Sequence, residues 1–207
     1  MSSARQNSRD VPSKRADDAC GDIPKSRVAI FLLIAATGCA ADLLTKHFVF
    51  SWRGGPREGN IWWVVEDFIG IETALNHGAL FGIGQGKVAF FSLLSFAFAI
   101  GIPVWLFYGK AARDKFLTFT LALVMGGILG NLYDRLGFGF HSPIGEPIYA
   151  VRDWIRLSYH SRVWPNFNIA DSLLVVGGCL LALHALFQRE TPEVKSENVG
   201  GKSTSSD

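Results

Sequence analysis

The sequence predicts an all-α integral membrane protein of four transmembrane helices, both termini cytoplasmic, with a small sheet on the outer membrane surface. Three observations carry that prediction. The 207 residues are 49% hydrophobic and 18% charged, with 16 Phe and a positive mean hydropathy, which is too apolar for a soluble domain of this size. The apolar residues fall into four blocks, 28–44, 88–108, 116–133 and 167–187, each close to the length that crosses about 30 Å of hydrocarbon at 1.5 Å per residue. The basic residues are divided unevenly among the segments between the blocks. Six, from Arg5 to Arg27, precede the first block, and Lys110, Arg113 and Lys115 crowd the seven residues between the second and third. The connections of 43 and 33 residues hold only four each. Cytoplasmic segments concentrate Lys and Arg, so the tails and the short connection lie inside and the two long connections outside. That division accounts for the basic residues, and the net charge of +2 calls for no nucleic-acid partner.

In chain order, residues 1–26 are rich in Ser, Asp, Lys and Arg and read as a disordered cytoplasmic tail. The first span opens "RVAIFLLIAATGCA", which imitates a lipoprotein signal peptide ending at Cys39, but three further spans follow it. It closes with "ADLLTK", which brings Asp42 and Lys46 to the outer end. In the first outer connection, "NIWWVVEDFIGIETALN" is rich in β-branched and aromatic residues and is broken at Glu66–Asp67, so two short strands are expected. Trp52, Trp62 and Trp63 suit the headgroup region. The glycine-rich "NHGALFGIGQGK" then turns the chain back to the second span. The third span ends "MGGILGNLYDRLG", where Gly126, Gly127 and Gly130 allow a neighbouring helix to approach closely. The second outer connection contains "YAVRDWIRL", with Asp153 among apolar residues, expected to dip back into the interface. The fourth span begins "FNIADS" with Asn168 and Asp171, and residues 189–207 form a second disordered tail. The ordered part, 27–188, is one domain. Cys20, Cys39 and Cys179 have no paired or metal-ligand spacing, and the five His form no ligand pair, so no metal or cofactor is expected.

The chemistry lies in the depth of the polar residues. Asn131, Asp134 and Arg135 stand at the outer end of the third span, Asn168 and Asp171 at the outer start of the fourth, and Asp42 and Lys46 at the outer end of the first. A carboxylate within a bilayer costs at least about 3 kcal/mol on insertion scales and is a candidate functional group. Asp171 alone could be no more than a helix N-cap. Polar residues from separate segments converging on one level are harder to assign to capping. Two carboxyls held close together retain one proton between them, so one member can take a proton from water while the other polarises a carbonyl. That is aspartic-type peptide hydrolysis. Spacing alone does not choose among Asp134, Asp153 and Asp171. Other hydrolytic chemistries lack parts: there is no Gly-x-Ser-x-Gly elbow or Cys/His constellation, and the nearest Lys–Ser approach is Lys46 with Ser51.

The blocks "ADLLTK", "NHGALFGIG", "GGILGNLYDR", "VRDWI" and "FNIADS", in this order on four spans, resemble the lipoprotein signal peptidases, the signal peptidase II family. The likeness covers about residues 28–187, and GGxxGNxxDR followed by FNxAD is its most specific part. It implies an aspartyl endopeptidase of the bacterial inner membrane, with its site at the periplasmic leaflet. Its partners would be membrane lipids and a diacylglyceryl-modified prolipoprotein, cut just before the lipidated cysteine. The resemblance makes Asp153 and Asp171 the catalytic dyad. It assigns Asn131, Asp134 and Arg135 to ordering the site and holding the substrate backbone, with Asp42, Lys46, Asn76 and Asn168 in support. The strands of the first outer connection would form a small β-cradle over the site. The chain departs from the family pattern twice. The segment between Asp134 and Asp153 is about ten residues longer than the family leads one to expect. Arg152 also stands where an apolar residue is usual, and a basic neighbour turned inward would favour an ionised Asp153. The alternative is a small transporter or channel, which would carry ionisable residues along a mid-bilayer path rather than at one interface.

Overall fold

The computed structural model describes residues 22–57, 59–78 and 84–188; most of the two tails and part of the glycine-rich turn, with Cys20, lie outside them. Four helices form: α1 (Lys25–Arg53), α2 (Val88–Pro103), α3 (Lys115–Arg135) and α4 (Ile169–Gln188). All four are long and apolar enough to cross a membrane, α2 by way of a further π-helical turn at Val104–Tyr108. Pro103 brings no N–H to its turn, and the widened turn that follows is the usual local adjustment.

Helix α1 runs nine residues beyond the hydrophobic block that predicted it. Asp42 and Lys46 end the apolar run in sequence, but they are i, i+4 partners 2.6 Å apart and wholly buried, so the helix passes through them. It stops at Gly54, whose φ of +79° suits glycine. Cys39 lies inside this uninterrupted helix.

Helix α3 is the central one and packs against the other three. Its small residues are where the neighbours come closest. A Cβ on Gly126 would stand 3.1 Å from the Ala35 oxygen of α1, and one on Gly127 2.5 Å from the Ala170 oxygen of α4. Gly127→Ala is therefore expected to force α3 and α4 apart and cost about 1–3 kcal/mol through overpacking. A wild-type melting temperature in detergent would refute that. Toward the α2–α3 connection the bundle core is apolar, built on Phe31, Ile102, Leu106, Leu121 and Met125. The polar residues gather at the opposite end. The outer faces of α1, α2 and α4 expose Leu33, Phe90, Leu93, Phe96 and Phe187, as a lipid-facing surface would.

Between the helices the chain builds a four-stranded antiparallel sheet in the order β1 (Trp62–Val65), β2 (Ile69–Asn76), β5 (Val151–Tyr159), β6 (Arg162–Phe167). The first connection supplies the two strands expected of it, divided by a turn in which Asp67 has φ +55°. The second connection supplies two more, where a dip into the interface was expected. "VRDWIRLSY" forms β5, its first three residues all buried, and His160, at φ +53°, begins a two-residue turn closed by Tyr159 opposite Arg162. Pro165 is tolerated because β6 is an edge strand. β5 is interior, with Ala74 opposite Asp153 and Ile155 opposite Phe167. A short hairpin, β3 (Phe140–His141) with β4 (Pro147–Ile148), occupies the long connection ahead of β5.

Candidate active site

Helix α4 begins on Asn168. The Asn168 Oδ1 accepts from the Asp171 backbone N–H at 2.9 Å, and its carbonyl accepts from the Ser172 hydroxyl at 3.0 Å. Asn168 is thus the N-cap. The capping role open to Asp171 in the sequence is already taken, and the Asp171 side chain turns into the bundle, 3% exposed.

The cap has a second use. Asn168 Nδ2 donates to Asp153 Oδ1 on β5 at 2.6 Å and to Asn131 Oδ1 on α3 at 3.2 Å. Asn131 Nδ2 in turn donates to Asp171 Oδ1 at 2.7 Å. Two amides therefore link two buried carboxyls from a strand and a helix. The Asn76 side chain also bonds Asp153, and its oxygen accepts from the Gly78 N–H at 2.9 Å. The second oxygen of Asp171, Oδ2, is buried and accepts no hydrogen bond from the described residues.

Beneath this relay lies an ion cluster. Lys46 Nζ donates to Asn131 Oδ1 at 2.9 Å and forms ion pairs with Asp42 Oδ2 at 2.6 Å and Asp134 Oδ2 at 3.0 Å. Ser51 is exposed whereas Lys46 is wholly buried, so the two do not share a site. Asp42 Oδ1 accepts from the Ala170 N–H at 2.9 Å, which satisfies an orphan donor in the first turn of α4. Asp134 is wholly buried and has four donors: Lys46, the Arg152 N–H at 3.1 Å, and Arg152 Nε and Nη2 at 2.9 and 2.8 Å. Arg152 is thus turned onto Asp134 and does not serve to ionise Asp153. The expectation for an inward-facing basic neighbour is reversed: burial first, then the charge of Asp171, pushes the Asp153 carboxyl up to about 8.

Arg135 departs from the cluster. Its Nη2 donates to the Gly78 carbonyl at 3.0 Å, and its guanidinium lies 6.0 Å from the centre of the Phe91 ring. With Asn131 it forms the polar end of a cavity of about 700 Å³ between α2, α3 and α4, otherwise lined by side chains such as Phe91, Phe98, Ile128 and Leu174. All nine residues singled out in the sequence lie in this neighbourhood. Two others take part: Arg152, noticed only as a departure from the pattern, and Gln85, whose amide donates to Asn76 Oδ1 at 3.3 Å. Nothing in its local sequence distinguishes Gln85.

Among the described residues the buried charged side chains are Asp42, Asp134, Asp153 and Asp171 against Lys46, Arg135 and Arg152. Four acids face three bases, so the cluster is neutral when one carboxyl keeps a proton. Unbalanced charge in a dry site is costly.

Comparison with known proteins agrees with this architecture. The family model of signal peptidase (SPase) II matches residues 34–187. A lipoprotein signal peptidase of Rhodopirellula baltica is 43% identical over 176 residues, covering 84% of this chain and 79% of that protein. One from Rhodococcus jostii is 30% identical, with 89% of each chain covered. A solved bacterial membrane enzyme, obtained by the in meso method at 2.3 Å resolution, superposes with a TM-score of 0.65 at 25% identity. That match covers 84% of this chain and 95% of the other. A second such structure, at 1.9 Å, gives a TM-score of 0.59 at 26% identity, with 82% and 97% covered.

Proposed function

The chain belongs to the signal peptidase II family, and from that membership we propose a membrane-embedded aspartyl endopeptidase that frees prolipoproteins of their signal peptides. It is a multi-pass membrane protease of lipoprotein precursors; the small transporter or channel finds no support among its relatives. Both termini are cytoplasmic, the tails 1–26 and 189–207 flank a domain of 27–188, and the site opens at the periplasmic leaflet of the inner membrane. The four-stranded sheet is the cradle at that leaflet. Cleavage falls just before the diacylglyceryl-bearing cysteine, whose acyl chains stay in the lipid.

Asp153 and Asp171 are the dyad in this reading. The observation that carries it is the two-amide link between their carboxyls, with one Asp171 oxygen left undonated. Asp134 has four donors of its own and no oxygen to spare, which supports a structural role for it. Asp171 Oδ2 takes the proton of the attacking water, and protonated Asp153 polarises the scissile carbonyl and then protonates the departing nitrogen. The signal peptide lies as an apolar helix along the cavity between α2, α3 and α4. Its backbone must unwind at the scissile bond, and Asn131 and Arg135 at the polar end meet the freed peptide groups where little water reaches.

The test is cleavage of a diacylglyceryl-modified prolipoprotein by the reconstituted protein over a pH series, with products weighed by mass spectrometry. The product is expected to begin at the lipidated cysteine, and equal cleavage of an unmodified precursor would overturn the assignment. Because Asp153 must carry a proton, turnover falls as pH rises through about 8. The folded form keeps this proton where the unfolded carboxyl has lost it. The stabilisation is therefore full below the ordinary value of 3.8 and is gone once pH has passed about 8. Turnover that climbs through that range would exclude a protonated Asp153.

A further inference from the structure

The two departures from the family pattern meet in space. Arg152 grips Asp134 with Nε, Nη2 and its backbone N–H, and the long connection 136–150 closes over that grip. Gly139 lies so near that a Cβ there would run into Asp134 Oδ1 and stand 2.9 Å from Arg152 Nε. The next residue, Phe140, packs edge to face on Phe50 at 5.3 Å, and the Arg152 guanidinium lies 5.9 Å from the centre of the same ring. Arg152 is 4% exposed and Asp134 not at all.

We propose that Arg152, sealed beneath the long connection, is a positioning residue of the reaction: by holding Asp134 it fixes Lys46, and through Lys46 the Asn131 amide that aims Asp171. The inference rests on the dyad reading above. Lys46 is shared between two carboxylates and the Asn131 oxygen. If Asp134 lost the Arg152 fork, its freed Oδ1 would turn to the ammonium as the nearest donor. Lys46 would then be drawn off Asn131, whose amide would no longer be held toward Asp171. Arg152 is also one of only three cations balancing four acids among the described buried residues. The ionisable groups around it are Asp42, Lys46 and His47 of α1, Tyr133, Asp134 and Arg135 of α3, Asp171 of α4 and Asp153 of its own strand; β2 contributes the Asn76 amide.

The experiment measures kcat and KM over a pH series for the full-length wild type, Arg152→Leu, Arg152→Lys, Gly139→Ala, His47→Gln and Asp171→Asn. Arg152→Leu is expected to lower kcat by about 10- to 100-fold with little change in KM. Removing a cation should also move the acid limb of the profile up by about one pH unit. Arg152→Lys keeps the charge without the fork, so it returns the limb and recovers part of kcat. Gly139→Ala disturbs the grip while keeping the charge; it lowers kcat with the limb in place, and it carries the test if the leucine variant does not fold. Wild-type kcat in Arg152→Leu or in Gly139→Ala overturns the proposal. So does a loss in Arg152→Leu that leaves the limb unmoved and is not relieved by lysine, because packing alone would do that. A limb that moves equally in His47→Gln belongs to that imidazole and also overturns it. Asp171→Asn separates the two levels: if it cleaves normally the dyad reading fails, and if it is dead while the Arg152 variants behave as wild type, only the present inference fails.

Discussion

Asp171→Asn is expected to reduce cleavage by on the order of 1,000-fold or more while leaving the protein inserted and abundant. The substitution keeps the shape of the side chain. Its amide oxygen can still accept from Asn131, and the Asn168 cap uses the backbone of residue 171, so the first turn of α4 remains. What disappears is the oxygen that takes the proton from water in the proposed mechanism. Asp153→Asn should be equally inactive for the complementary reason, since an amide cannot hand a proton to the leaving nitrogen. Its oxygen can still accept from Asn168. Asp134→Asn should behave differently. The new amide would point N–H groups at Lys46 or at the Arg152 fork, so activity and membrane abundance should fall together. Processing of a lipidated precursor, scored beside protein level, separates the three. Full activity in Asp153→Asn would move the dyad onto Asp134.

Lys46→Met is expected to have the largest effect on stability, a loss of about 3–5 kcal/mol. The methionine nearly matches the volume, so the cost is electrostatic: Asp42 and Asp134 would lose the cation they share in a site from which water is excluded. Thermal unfolding in detergent should show it directly. Adding Asp42→Asn should restore part of the loss, because it removes one stranded charge yet keeps an acceptor for the Ala170 N–H. A double variant no more stable than Lys46→Met would place the defect in packing instead.

The four spans were legible because hydrocarbon demands long apolar helices, and hydropathy reports that demand residue by residue. The same measure ended α1 too early, because a charged pair that will be buried together looks locally like two exposed charges. β5 was hidden for a related reason. Its Arg152 and Arg156 look like loop residues until Asp134 and Glu72, the latter 84 positions away, are seen to neutralise them. The site residues were legible as polar groups gathered at one end of the helices but not as a wiring. Asn168 and Asp171 are both good caps three positions apart. Which one turns back on the helix and which turns inward is decided by Asp153 and Asn131, from distant parts of the chain.

β5 lies between β2 and β6, and its Asp153 is linked to Asp171 only once α4, the last of the four helices, stands beside α3. With these two carboxyls as the proposed dyad, a ribosome has therefore made all four helices before the site can cut. Until then, in that reading, the nascent chain has no means of cleaving the membrane segments around it, its own included.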